Sequence, residues 1–246
     1  MSHIQRFFQL GNQWCVVHVP ERPNGFGVLV IGDQNHFVDE HTSFWIQNNG
    51  RSIMVESLLR EGYTLFYSNL YGRNWGSSEA VSLARRLYHV ILKKEILNNR
   101  IHILAEGMGA LIALQLMEEM GDNIRSVAMM NPCLDLRKHV LQEKEHKFFY
   151  KRIIKEIATA YHYDVTKLEK DVNECIPTIN YDTNVPVKIW QTTTNVLYDP
   201  KLHTKYYEEI RKQTANPIKV AYQLAEKRFS VSQPIFRFYK EYEKVL

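Results

Sequence analysis

One five-residue stretch has the spacing of a nucleophilic active site. It reads Ala105-Glu106-Gly107-Met108-Gly109, and it lies between an apolar run that begins at Ile101 and a helical pattern of leucines and methionines. A strand that turns sharply into a helix is the setting of a nucleophile elbow, whose sequence is G-x-S-x-G. Gly107 stands where that pattern has serine, and glycine has no side chain that could attack a substrate. The sequence therefore predicts the backbone shape of a nucleophile site without its nucleophile.

Several other side chains could do chemistry near this stretch, and each also has an ordinary structural interpretation. His36 could act as an acid or a base, or it could be an exposed loop histidine. Glu106 and Lys227 could form an ion pair across the mouth of a pocket, or an ordinary surface pair. Cys133 could be a thiol nucleophile, but no histidine is its neighbour in the sequence and buried cysteine is common. No residues have metal-ligand spacing and no phosphate-binding glycine loop occurs, so no cofactor is expected.

The elements that must position these residues alternate between strands and helices. Short apolar runs predict the strands, and amphipathic spacing with glycine or proline at the ends predicts the helices. Such alternation is typical of an α/β fold with a mostly parallel sheet and helices on both faces. The predicted strands are 13–19, 27–31, 63–67, 101–105, 126–130, 186–191 and 219–224, and the predicted helices include 51–60, 80–97 and 234–245.

The alternation breaks between residues 137 and 183. Phe149, Ile153, Ile157 and Tyr161 recur every four residues, which predicts one long amphipathic helix. Residues 137–155 contain seven lysines or arginines against two glutamates, a local excess of five positive charges. That charge is typical of a solvated helix face. It could also form a basic rim that attracts anionic ligands or an acidic partner.

Length and composition indicate one folded domain over residues 1–246. The chain is 45% hydrophobic and 24% charged, and its net charge of +4 is too small to indicate nucleic-acid binding. The three cysteines form neither a C-x-x-C pair nor a dense framework, which favours reduced thiols in a cytoplasmic protein. No leader opens the chain and no run of about 18 apolar residues occurs, so neither secretion nor a membrane span is expected.

Together these segments resemble the α/β-hydrolase fold over nearly the whole chain. The strand 28–31 followed by Gly32 resembles the one that enters the family's oxyanion loop, with Ile-Gly in place of the usual His-Gly. The stretch from Gly62 to Ser77 resembles the family's strand followed by G-x-x-x-G-x-S. The segment 137–183 lies where the family inserts its cap. The resemblance implies a mostly parallel central sheet with helices on both faces and a helical cap insertion.

By the same resemblance, the two other positions of the family's catalytic triad are also altered. The acid's position falls on Asn195, or on Asp199 if the alignment shifts, and the histidine's position falls on Lys227. In a triad the serine attacks, the histidine takes its proton, and the acid orients the histidine. Gly107 offers no nucleophile, Asn195 carries no charge, and a lysine is a poor base near neutral pH. Serine hydrolysis is therefore not expected.

The resemblance with these changes implies a pseudoenzyme-like protein that acts as a binding module for a small carbonyl or carboxylate compound or for a protein partner. The backbone N–H groups of Met108 and of the Asp33 region would keep an oxyanion site. A protein partner could use the insertion or the aromatic C-terminal helix. The expected binding residues are Gly32, Asp33, His36, Glu106, Gly107, Met108, Asn195 and Lys227.

Two alternatives stay open. One is a hydrolase or acyltransferase of the family whose non-standard site uses His36, Glu106 or Cys133. General acid–base work would require those side chains to converge within hydrogen-bond reach. The other is a purely structural subunit, which would have a filled pocket and a broad exposed apolar patch.

Overall fold

Eight strands pair into one sheet in the computed structural model, which describes residues 3–194 and 196–243. In chain order they are β1 (Ile4–Leu10), β2 (Gln13–Val19), β3 (Gly27–Ile31), β4 (Thr64–Ser68), β5 (Ile101–Glu106), β6 (Ile124–Met130), β7 (Val187–Thr192) and β8 (Ile218–Gln223). Across the sheet they lie in the order β1-β2-β4-β3-β5-β6-β7-β8. β2 pairs antiparallel with β1 and with β4, and the other pairings are parallel. The predicted α/β fold with a mostly parallel sheet is confirmed.

The central strands are continuous apolar runs because helices cover both of their faces. β3, β4 and β6 are buried at every residue, which is the pattern of parallel strands enclosed on both sides. β5 lies directly beside β3, and Ile31 is the partner of Ala105. The carboxyl ends of these two strands therefore meet, so the loop that begins at Gly32 lies next to the turn at Gly107.

Helices pack on both faces of the sheet, as the sequence predicts. They are α1 (Phe44–Gln47), α2 (Asn49–Arg60), α3 (Ser78–Lys94), α4 (Gly109–Met120), α5 (Leu136–Glu143), α6 (Lys147–Tyr161), α7 (Val165–Lys170), α8 (Val172–Cys175), α9 (Tyr206–Gln213) and α10 (Ser232–Glu241). The apolar sides of α3 and α4 form one core layer with the sheet, and those of α2 and α10 form the opposite layer. Within the described ranges, no helix is both long and apolar enough to cross a membrane.

Four helices, α5 to α8, lie between β6 and β7, where the sequence pattern breaks. We call residues 136–175 the helical insertion. Its α6 is the long amphipathic helix expected from the spacing of Ile153 and Ile157, and both side chains are buried. They pack with Trp75 and Met108 in a third apolar cluster. The insertion therefore covers the turn at the end of β5.

The structure differs from the sequence-based expectations at both ends of the chain. The sequence pattern does not predict β1, which forms a hairpin with β2 at the edge of the sheet. Of the aromatic residues on the C-terminal helix, Phe238 and Tyr239 are fully buried against the sheet and cannot contact a partner, whereas Phe236 and Tyr242 are partly exposed. The predicted end of that helix at residue 245 lies outside the described residues.

Candidate functional site

The turn between β5 and α4 has the backbone conformation expected of an elbow. Gly107 has a φ of +51°, in the left-handed region that glycine adopts without a steric penalty. Its N–H donates to the carbonyl oxygen of Met130 at 3.0 Å, and its own carbonyl oxygen accepts from the Cys133 N–H at 2.9 Å. A glycine at this position therefore avoids the strain that a residue with a side chain would have at that φ.

The space beside Gly107 is filled by the carboxylate of Asp33. A Cβ atom built on Gly107 would lie 2.2 Å from Asp33 Cγ and 2.3 and 2.4 Å from its two carboxylate oxygens. The N–H of Met108, the expected oxyanion donor, donates to Asp33 Oδ1 at 2.9 Å. The side chain that the elbow lacks is thus replaced in space by a carboxylate from the loop after β3, and that carboxylate already occupies the oxyanion donor.

Tyr198 holds the same carboxylate from the other side. Its hydroxyl donates to Asp33 Oδ1 at 2.9 Å and accepts from Gln34 Nε2 at 3.1 Å. Burial, together with the nearby Asp33, raises the pKa of Tyr198 well above its usual value. The hydroxyl therefore keeps its proton and remains a donor. Tyr198 belongs to the loop in which the triad acid was expected, while Asn195 itself lies outside the described residues.

Glu106 forms its ion pair with Arg51, and the pair with Lys227 considered from the sequence is not formed. Arg51 Nε donates to Glu106 Oε2 at 2.7 Å and Nη2 to Oε1 at 2.5 Å, and both side chains are largely buried. Burial raises the pKa of Glu106 and Arg51 opposes that shift. The guanidinium also lies over the rings of Phe44, at 4.6 Å, and Phe229, at 5.1 Å. Glu106 therefore serves a structural ion pair beside the elbow.

The loop that contains Lys227, the expected position of the triad histidine, places the ring of Phe229 beside the site. Lys227 lies in a short 3-10 turn and is exposed to solvent. Two residues later, Phe229 packs so closely on Gly50 that a Cβ there would lie 2.4 Å from its ring. This loop thus closes the site with packing and provides no base.

His36 is buried, not exposed as a loop histidine would be. Its Nε2–H donates to the carbonyl oxygen of Ser68 at 2.9 Å, and its ring lies against Gly32, where a Cβ would approach it to 2.4 Å. Burial lowers the pKa of His36 from 6.5 to about 4. The ring is therefore neutral at physiological pH and fixed in place by backbone contacts.

Cys133 is completely buried near the elbow. Burial, with Asp33 and Asp135 nearby, raises the pKa of its thiol well above the usual value, which disfavours the nucleophilic thiolate. The other two cysteines are also buried and free, as expected for reduced thiols. His36, Glu106 and Cys133 each have separate partners, so no hydrogen bond joins them into a catalytic relay.

Two histidines that no sequence motif indicates lie around Tyr198. The ring of His139 is 4.9 Å from the Tyr198 ring and that of His203 is 5.8 Å from it. His203 Nδ1 accepts from the N–H groups of Leu134 and Asp135, at 3.2 and 3.3 Å, so its proton is on Nε2. Burial lowers the pKa values of His139 and His203 to about 4 and about 3. Both rings pack around Tyr198 as neutral groups.

A cavity of about 110 Å³ lies between α4 and the helical insertion. Its lining includes Trp75 and Gln115 but neither Asp33 nor Gly107. Of the three tyrosines in its lining, Tyr161 and Tyr181 donate their hydroxyls to backbone carbonyls, at 3.0 and 2.7 Å. In the part of the chain that the structure describes, no cluster of three or more His, Cys, Asp or Glu could hold a metal ion.

The chain is similar in structure to several solved enzymes. No protein-family model matches its sequence, and neither does any curated protein sequence. A Mycobacterium tuberculosis puromycin-hydrolyzing peptidase is 15% identical with a TM-score of 0.76, over 99% of this chain and 40% of that one. This chain therefore spans less than half of that peptidase.

Two other solved structures match over most of both chains. The Francisella virulence factor BioJ is 15% identical with a TM-score of 0.64, over 98% of this chain and 85% of that one. A lipase/esterase from Lactobacillus plantarum is 12% identical with a TM-score of 0.62, over 98% of each chain. Together with the sheet order and the elbow, these matches show that the chain has the α/β-hydrolase fold.

Proposed function

We propose that the chain is a non-catalytic α/β-hydrolase-fold protein that works by binding a partner. The observation that carries this proposal is the Asp33 carboxylate, which lies where a side chain at position 107 would begin. A nucleophile there would have no room, and the oxyanion donor at Met108 already has an anionic partner. The Asp33 carboxylate therefore affects both functions of an elbow. It fills the space that a nucleophile would need, and it accepts the hydrogen bond that would stabilise an oxyanion.

The absence of a base near the elbow supports the same proposal. General-base catalysis needs a group within about 2.6–3.2 Å of the proton that it abstracts. Lys227 is exposed, and the loop that bears it brings Phe229 to the site. His36 is neutral and bound to a backbone carbonyl. None of these side chains is arranged to activate a nucleophile beside Gly107.

The internal carboxylate also narrows the class of partner. A carbonyl or carboxylate compound at the elbow would have to displace Asp33 from two hydrogen bonds, those with Met108 and Tyr198. A protein or another large surface could bind elsewhere on the chain without displacing Asp33. We therefore favour an interaction module over a small-molecule receptor built on the expected elbow residues.

Hydrolysis of a short-chain p-nitrophenyl ester tests the proposal. We expect no turnover above background by the wild type, and no labelling by a fluorophosphonate probe, which reacts with activated serines. Gly107→Ser should also stay inactive, because the new serine side chain would clash with Asp33 and no base would lie beside it to take its proton. An active esterase serves as the positive control. Turnover by the wild type that Asp33→Asn abolishes would overturn the proposal.

The second candidate is a hydrolase or acyltransferase with a non-standard site. It is favoured by the solved structures, since those described above include a peptidase and a lipase/esterase. It is also compatible with Asp33 itself acting as the nucleophile, since no residue within the described ranges donates a hydrogen bond to its Oδ2. In that case Oδ2 would attack an ester carbonyl, the alcohol would leave with a proton from water, and water would then hydrolyse the mixed anhydride. The ester assay with Asp33→Asn and Cys133→Ala separates this candidate from the first.

A further inference from the structure

The outer side of the helical insertion carries exposed aromatic and aliphatic side chains. Phe148 is 76% exposed, Phe149 is 50% exposed and Leu141 is 47% exposed. Phe148 and Phe149 lie in the first turn of α6, with their ring centroids 5.8 Å apart. Single exposed apolar residues are normal on a protein surface. These three lie close together in sequence around the turn between α5 and α6, where Lys144 and Lys147 alternate with Glu143 and Glu145. A group of exposed apolar side chains of this kind indicates a docking surface.

These side chains project outward because the inner face of α6 is already used. Ile153, Ile154, Ile157 and Ala158 are buried against the core of the chain. On a helix, residues three, four and seven positions apart share a face. Lys151, Arg152 and Lys155 stand at those distances from Phe148, and all are exposed. Phe148 therefore lies at the N-terminal end of a positively charged helix face.

The lysines of this face are available for an external anion. Within the described ranges, no ion pair forms at the four exposed lysines Lys144, Lys147, Lys151 and Lys155. Arg152 differs, because its Nε forms an ion pair with Glu156 Oε1 at 3.5 Å. We call the following residues the basic outer face: Leu141, Lys144, Lys147, Phe148, Phe149, Lys151 and Lys155.

We propose that the basic outer face docks the protein on an anionic lipid bilayer, with Phe148 and Phe149 in the interface and the lysines on lipid phosphates. Interfacial helices combine Lys or Arg on the polar side with exposed Phe or Leu. Each Lys or Arg near an anionic surface contributes about 1 kcal/mol. An acidic protein is the weaker choice, because protein interfaces are depleted in lysine and the two phenylalanines project outward. The proposal uses residues away from the elbow, so its failure would leave the proposed function untouched.

Co-sedimentation of the full-length chain with vesicles tests the proposal. We expect binding to phosphatidylcholine vesicles that contain phosphatidylserine, little binding to pure phosphatidylcholine, and weaker binding as salt screens the charges. Replacing Lys147, Lys151 and Lys155 together by Gln should lower the partition coefficient roughly a hundredfold. Phe148→Ser with Phe149→Ser should lower it by about tenfold or more.

Matched controls keep the number and type of changes but move them elsewhere on the surface. The charge control replaces the exposed Lys93, Lys201 and Lys205 by Gln, and the apolar control is Ile4→Ser with Ile96→Ser, at side chains that are 62% and 98% exposed. Circular dichroism checks that every variant is folded. The proposal is overturned if the wild type does not bind anionic vesicles, if the controls weaken binding as much as the test variants, or if polyglutamate is bound and vesicles are not.

Discussion

The contact between Asp33 and Gly107 predicts a strong coupling between two substitutions. Gly107→Ala adds one methyl group at a position whose Cβ would lie 2.2–2.4 Å from three atoms of the Asp33 carboxyl group. Crowding of this kind typically costs about 1–3 kcal/mol. The φ of +51° adds about 1–2 kcal/mol for any residue with a side chain. We therefore expect Gly107→Ala to lower the free energy of unfolding by about 2–5 kcal/mol.

Removing the Asp33 carboxylate should remove the crowding and leave only the cost of holding a residue with a side chain at a positive φ. In an Asp33→Ala background, Gly107→Ala should cost about 1–2 kcal/mol, so the two changes should be coupled by about 1–3 kcal/mol. Gly72→Ala is the matched control, because Gly72 has a φ of +66° and nothing within 4 Å of a Cβ built on it. The loss of unfolding free energy in Gly72→Ala should therefore come from the positive φ alone.

Urea unfolding of the wild type, the two single variants and the double variant measures the coupling. The dependence of the unfolding free energy on urea concentration is fitted with one common slope. Independent sites add to within about 0.5 kcal/mol. If Gly107→Ala costs no more than Gly72→Ala, and costs the same with and without Asp33, the carboxylate does not lie over Gly107. The central observation behind the proposed function would then be refuted.

Three further predictions concern the groups around the elbow. Arg51→Ala should lower the free energy of unfolding by about 3–5 kcal/mol, because Glu106 would be left buried without its partner. Lys227→Ala, at an exposed side chain, should change that free energy by less than about 0.5 kcal/mol. Equal effects of the two substitutions in urea unfolding would contradict the pairing of Arg51 with Glu106. The pKa of His36 is about 4 in the folded chain against 6.5 when unperturbed, so below pH 6.5 the unfolded state takes up the proton first and stability falls towards about pH 4. The slope should be up to about 1.4 kcal/mol per pH unit steeper than in His36→Gln; identical slopes would exclude the assigned burial. Cys133 should react slowly with a thiol reagent in the native state and rapidly in denaturant, because its thiol is buried; rapid native labelling of Cys133, identified by mass spectrometry, would argue against this packing.

Most of the sheet could be predicted because its strands are either fully buried or bounded by turn residues. β3, β5 and β6 read as apolar runs, and their burial on both faces is the reason. β1 is an edge strand whose residues are only partly buried, so its apolar pattern is weak. A signal for it exists all the same, since Gly11-Asn12 between two strand-like segments is a hairpin turn. Gly11 indeed has a φ of +65°.

The site could be predicted only where it depends on local backbone shape. The positive φ of Gly107 follows from the strand-to-helix turn that encloses it. The partners of the elbow come from distant parts of the chain, 75 positions away for the Asp33–Met108 hydrogen bond and 165 for Asp33–Tyr198. Those contacts depend on β3 lying beside β5 and on the loop after β7 folding over both. A charge pattern read along the sequence gives no indication of either.

The Asp33 contact also constrains how this chain could change by single substitutions. A change that introduces serine at position 107 would place its side chain against the carboxylate, so the single variant would be destabilised. A change that first removes Asp33 would leave the Met108 N–H and the Tyr198 hydroxyl without their acceptor. Either order of mutation passes through a less stable protein. The two residues are thus coupled by epistasis: each substitution destabilises the protein by itself, so a serine at position 107 becomes tolerable only together with a change at Asp33.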